Sequence, residues 1–334
     1  FYDSGHTMSF GNKIIAENVF SVISPTYFGK THSVIHSLQT GNNESGVVYA
    51  VDSDLSNRNF DNLDLQNAVF DKADLSNTSF RNANIDGARF VFANLSNSNL
   101  LDRTDLSNVN LAGVDLSDVS LNGKNLSGTN LSFIDLSEHD LTGTNLIGVN
   151  LSHTKVSNVS LKGKDLSGAN LSFVDLSEHD LTGTILTKAN LSNSNPVGID
   201  LSGKNLSGTI LSFVDLSEHD LTGTNLSDTV LFRTNFSGMD LRAIPLTNAD
   251  FRYANLSESK LLDSLLVNNN FDYATLKNIN FAGKDLSGSS FQQAEFDGSD
   301  MQNTKLREAA FVQVDFTKIK NKSLSGADLS HTSV

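Results

Sequence analysis

The chain has 334 residues, 38% hydrophobic and 8% aromatic, with 24 basic against 38 acidic side chains and a formal net charge of −14. That acidity disfavours direct contact with DNA or RNA. The absence of cysteine removes disulfides and thiolate metal sites, and no run approaches the roughly 20 apolar residues of a membrane span.

Residues 1–50 show no period. Their apolar and aromatic runs, Lys13 to Ser24 and Val47 to Val51, broken by Pro25 and Gly29, read as short strands. This piece is expected to cap the remainder, 51–334, or to exchange a strand with a neighbour. The chain opens with Phe1 rather than Met. A mature product whose leader has been removed would begin so, which places it outside the cell or at the cell surface.

From Leu55 to Leu100 an apolar residue recurs at every fifth position; one residue is then inserted at Leu101, and the count resumes from Leu106 through Phe316. A last fragment in a third frame contains Leu324, Leu329 and Val334. Among all these central positions only Pro196 is not Leu, Ile, Val, Phe or Met. Helices repeat near 3.6 and strands at 2, so a period of five belongs to neither and indicates a solenoid. Around each centre i, position i−2 is mostly small or β-branched, i−1 is mostly Asp or Asn, i+1 is often Ser and i+2 is often Gly. Two inward positions two residues apart suit a short extended side, and the polar residues and Gly suit the bend to the next side.

Units such as Ala93-Asn94-Leu95-Ser96-Asn97 and Ala169-Asn170-Leu171-Ser172-Phe173 resemble the pentapeptide-repeat family. The resemblance covers about residues 53–334. It implies an all-β fold, a right-handed four-sided parallel β-helix with four units per coil and about fourteen coils, on the order of 65 Å long from the strand spacing. Residues 20 apart then stack on one side, so Phe60 lies over Phe80, Phe70 over Phe90, and Phe251, Phe271, Phe291 and Phe311 form a column. The insertion at Leu101 is expected to be a bulge that rotates one part against the other.

A 40-residue repeat, two coils long, is superposed on the pentads: Gly123 to Gly128 recurs at Gly163 and Gly203, and Phe133 to Gly143 recurs from Phe173 and Phe213. In this unit Lys124, Lys164, Lys204 and Lys284, and also His139, His179 and His219, occupy the inward position i−2. Either they form a ladder of buried polar sites, or they bend out at the corners with the Lys stems along apolar surface. The cost of burying an unpaired ammonium favours the outward bend. Successive His residues stand about 9.6 Å apart, too far to share a metal ion.

On one side the i+2 column reads Phe133, His153, Phe173, Asn193, Phe213, Arg233, Tyr253, Tyr273, beside a second column of Glu138, Glu178, Glu218 and Glu258. The rings either fold over their own corners or form a docking strip.

No phosphate-binding loop, nucleophile elbow, His-Glu-x-x-His or cysteine nucleophile is present, so no enzyme activity and no cofactor or metal is expected. The leading reading is an extracellular structural protein that assembles with itself. Phe133, Phe173, Phe213, Tyr253 and Tyr273 would form its lateral interface, and the last coil, with Leu324, Leu329 and Val334, would offer an open edge to a neighbour's N-terminal segment. Asn-x-Ser/Thr triplets, Asn94 and Asn125 among them, permit glycans. The alternative, implied by the resemblance, is a cytoplasmic acidic mimic of DNA that binds a type II topoisomerase.

Overall fold

The computed structural model describes residues 47–177, 179–262 and 266–320. Residues 1–46, Glu178, 263–265 and 321–334 lie outside the described part, and with them the N-terminal segment and Leu324, Leu329 and Val334. Two compact units divide the chain, Phe1–Lys155 and Val156–Val334.

The pentad Ala93-Asn94-Leu95-Ser96-Asn97 shows how five residues make one side. Ala93 and Leu95 point inward and are buried, while Asn94 between them pairs with Asp74 of the preceding coil as a parallel bridge. The N–H of Leu75 donates to the Asn94 carbonyl at 2.8 Å, and the N–H of Asn94 to the Ala73 carbonyl at 3.0 Å. The corner follows at once. The Ser96 N–H donates to Asn94 Oδ1 at 3.1 Å, Asn97 takes φ 57°, and the Ser98 N–H closes the turn onto the Leu95 carbonyl at 2.9 Å. A positive φ at the third residue only, with that bond, is the type II turn. Asp or Asn at i−1 is therefore selected to hold the corner, and Asn or Gly at i+2 to tolerate the left-handed backbone.

In the first unit the bridges Asp54↔Asp74, Asn59↔Ser79, Asp64↔Asn84 and Val69↔Arg89 lie 20 residues apart on four successive sides. In the second, Asn190↔Ile210, Asn205↔Asn225, Asp215↔Asn235 and Asp240↔Lys260 do the same. Each unit is thus a four-sided parallel coil, and among the described residues the one regular helix is the 3-10 turn Phe316–Lys318 of the second unit.

The interior stacks like on like. Phe60 and Phe80 lie 4.9 Å apart at 12°, Phe70 and Phe90 5.2 Å apart at 14°. Phe60 meets Phe70, on an adjoining side, edge to face at 5.7 Å. In the second unit Phe251, Phe271, Phe291 and Phe311 stack at 5.0–5.2 Å. Offset stacks along a column and edge contacts across it are the two arrangements that aromatic quadrupoles favour.

The insertion at Leu101 differs from the expected rotation. Arg89 pairs with Asn110 across a 21-residue step, so the columns stay in line and the extra residue is absorbed at one corner. Leu100 and Leu101 are both buried. Polar side chains replace the disturbed ladder. Asn99 Oδ1 accepts from the Phe80 N–H at 2.7 Å, and Arg103 donates to the carbonyls of Phe80 and Ala83 at 3.2 and 2.9 Å.

Candidate interaction surface

The polar residues at i−2 turn inward, against the outward bend that the cost of charge burial favours. Lys124 is 7% exposed, and its ammonium donates to the carbonyls of Leu101 and Arg103 at 2.9 and 2.8 Å. Burial lowers its pKa. The ammonium is desolvated but not unpaired, and that pairing makes the position tolerable. Lys204 Nζ likewise donates to the Leu181 carbonyl at 2.7 Å, while Lys164 and Lys284 are half-buried.

The Thr residues that alternate with these lysines make the same contact. Thr184 and Thr224 donate to the carbonyls of Leu161 and Leu201 at 2.8 and 2.7 Å, as Thr144 does to Leu121 in the first unit. The three histidines follow suit: Nε2 of His139, His179 and His219 meets the carbonyls of Leu116, Val156 and Pro196 at 2.9, 3.1 and 2.9 Å. A carbonyl only accepts, so Nε2 carries the proton. For Lys204, the Thr residues and the histidines the acceptor is the central carbonyl of the coil before, while Lys124 reaches the two carbonyls of the insertion, Leu101 and Arg103. Lys and His at i−2 are structural donors to a carbonyl lone pair that the corner turn leaves open.

The exposed aromatic column lies at the corners. In the first unit it comprises Phe133 and His153, stacked at 4.9 Å and 5°. Phe92 also belongs to it and lies so closely on Gly113 that a methyl there would overlap its ring. In the second unit it runs Phe173, Asn193, Phe213, Arg233, Tyr253, Tyr273. Phe213 is 48% exposed, and Phe173 and Tyr253 are also exposed. Tyr253 and Tyr273 stack at 4.5 Å and 2°. The Arg233 guanidinium sits between two rings, 5.5 Å from the centroid of Phe213 and 5.3 Å from that of Tyr253, with Phe232 on its flank at 5.7 Å. The rings lean along the column onto neighbouring coils instead of each folding over its own corner.

The column shares the left-handed corner backbone found along both units. Phe92, Phe133, Phe173, Phe213, Tyr253 and Tyr273 all have φ between 55° and 63°. A bulky side chain in the left-handed region costs on the order of 1–2 kcal/mol that Gly or Asn at the same corner largely escapes. Other corners hold Gly or Asn, as at Gly168, Gly208, Asn248 and Asn278, but also Lys and Asp, as at Lys188 and Asp228. The acidic neighbours differ: Glu258 is left-handed, whereas Glu138 and Glu218 are not among the left-handed residues.

Several Asp residues at i−1 accept hydrogen bonds that favour their ionised form. Hydrogen bonds from Ser107 hold Asp105 below the ordinary carboxylate pKa, and those from Ser117 do the same for Asp115. Several candidate glycan acceptors use their amide nitrogens within the ladder: Nδ2 of Asn94, Asn125, Asn225 and Asn255 donates to Asp74, Asp105, Asn205 and Asn235 at 2.9–3.2 Å. Among the described residues no group of three or more His, Asp or Glu could hold a metal ion, and no helix is long and apolar enough to cross a membrane.

Profiles of two families match. "Pentapeptide repeat region" covers 53–131, and "Pentapeptide repeats (8 copies)" matches six segments between 125 and 317. No curated protein matches the chain. Among solved structures, HetL, a pentapeptide repeat protein involved in heterocyst differentiation regulation in the cyanobacterium Nostoc, is similar at 22% identity over 90% of this chain and 92% of that one, with a TM-score of 0.17. The plasmid-mediated fluoroquinolone resistance protein QnrB1 is similar at 19% identity over 62% and 84%, with a TM-score of 0.22. A pentapeptide repeat protein of the Arabidopsis thaliana thylakoid lumen is similar at 24% identity over 44% and 72%, with a TM-score of 0.11. These three likenesses are too loose to say what this chain does. The profile matches, which together span more than half of the chain, establish that it belongs to the pentapeptide-repeat family.

Proposed function

We propose that the chain is a non-catalytic structural protein that associates laterally with further copies of itself through the exposed aromatic column. One observation carries this reading: aromatic rings stand exposed at corners whose left-handed backbone favours Gly or Asn. A bulky side chain is disfavoured by that backbone, and a row of exposed rings is the kind of surface that marks an interface. Exposed rings with adjacent Arg233 are also the residue types that anchor protein interfaces. Assembly into a surface filament or sheath belongs to the same proposal. Electron microscopy of the purified chain tests it: the expected images show multi-copy assemblies for the native sequence and single particles for the Phe133→Ser, Phe173→Ser, Phe213→Ser variant. Single particles for both would contradict it.

The net charge of −14 favours a second reading, in which the acidic surface occupies a basic groove built for DNA. Inhibition of a type II topoisomerase by the purified chain, relieved by high salt, would support that reading over the first.

A further inference from the structure

In the second unit the side that carries the aromatic column is self-complementary. Its outward i−1 residues are Asn170, Asn190, Ile210, Val230 and Asp250, joined by successive bridges. Ile210 at their centre is 36% exposed where this position elsewhere usually holds Asp or Asn. One edge of the side is the corner column Phe173, Asn193, Phe213, Arg233, Tyr253. The other edge, by the same 20-residue register, is Gly168, Lys188, Gly208, Asp228, Asn248. Lys188 and Asp228 are exposed.

We propose that two copies pack antiparallel on this side, about a two-fold axis through the coil of Ile210 and Phe213, and the inference rests on the lateral association proposed above. A two-fold of this kind brings each residue 20 positions before the axis against the residue 20 positions after it. Ile210 meets Ile210 of the second copy. Lys188 meets Asp228 of the second copy, and Asp228 meets its Lys188. Arg233 meets the corner of Asn193, where the short side chain leaves a two-rung gap between Phe173 and Phe213.

That gap repeats the one that Arg233 fills in its own chain, between Phe213 and Tyr253, so a guanidinium fits there between two rings. Two residues beyond those rings, Asp175 and Asp215 are exposed carboxylates on the adjoining side, whereas the matching residues at the filled gap are Asp215 and Asn255. The empty gap is therefore the more acidic of the two and the better match for a second Arg. A parallel two-fold would instead oppose the two edges at equal height, Arg233 to Asp228 and Lys188 to Asn193, which leaves Lys188 facing no carboxylate of the second copy and the gap at Asn193 facing no guanidinium.

A charge exchange tests the register. Sedimentation of the full chain should show that Lys188→Asp alone and Asp228→Lys alone each weaken association at least about tenfold, because each sets two like-charge pairs across the axis. The double variant, or an equimolar mixture of the two single variants, should recover it. Since the chain has no cysteine, Ile210→Cys should also give a homodimer with a short bis-maleimide. If the double variant is as weak as the single ones, or Ile210→Cys does not cross-link while the chain is associated, the two-fold is wrong. Were association to vanish in the triple Ser variant yet ignore the charge exchange, the aromatic docking surface would stand and only this register would fall. Failure of the native chain to associate at all would overturn both.

Discussion

Phe291 and Phe213 are the same residue put to opposite uses. Phe291, a pentad centre, has no exposed surface and stacks between Phe271 and Phe311. Phe213, two residues past a centre, is 48% exposed and lies at a left-handed corner. Position in the pentad, and not hydrophobicity, decides which way a ring faces. An inner ring is accounted for by packing density. An outer ring is disfavoured by the left-handed backbone at its corner, and the proposed lateral association is the reading that accounts for it.

The inner column breaks most readily. Leu171→Ala, at a fully buried centre, should lower the unfolding free energy by about 2–5 kcal/mol, read by urea denaturation. Next comes the bulge: Lys124→Met keeps the aliphatic stem but strips the buried Leu101 carbonyl and the part-buried Arg103 carbonyl of their donor, at a cost of about 1–3 kcal/mol. Lys204→Thr should change stability far less, because Thr184 and Thr224 already make that contact on neighbouring rungs.

The corner aspartates predict a dependence on acid. Asp105, Asp115 and Asp200 have folded pKa values below the ordinary 3.8, through hydrogen bonds from the Ser two residues on. Their folded form binds protons less readily than the unfolded chain, so the stability they contribute is present above pH 3.8 and is lost as the pH falls through the folded values. Unfolding midpoints should be flat near neutrality and drop below about pH 4, and less steeply when Asp105 and Asp115 are both changed to Asn.

The count of five makes the inner column legible in the sequence, because the central position points into the core and is filled by apolar side chains. It also locates Phe133, Phe173, Phe213, Tyr253 and Tyr273 in one corner column. Phe92 escapes the count because the insertion at Leu101 shifts it; the pairing of Arg89 with Asn110 and the contact of its ring with Gly113 show that Phe92 and Gly113 share a column. The inward turn of Lys124, His139 and Lys204 is not legible. It depends on a central carbonyl with one lone pair left open by the corner turn, and sequence shows side chains but not free backbone acceptors. Phe232 and Ile210 interrupt polar columns, a signal that a search confined to i+2 passes over.

Phe213→Asn tests the contrast between inner and outer rings most directly, since Asn is at home at these corners. Sedimentation equilibrium over a range of concentrations should give a weight-average mass that rises with concentration for the native chain and stays close to that of a monomer for Phe213→Asn, while the urea midpoint of the variant is equal or higher. A variant that associates like the native chain, or one that is less stable, would show that the exposed rings serve the fold itself, and would contradict a role for the outer column in association.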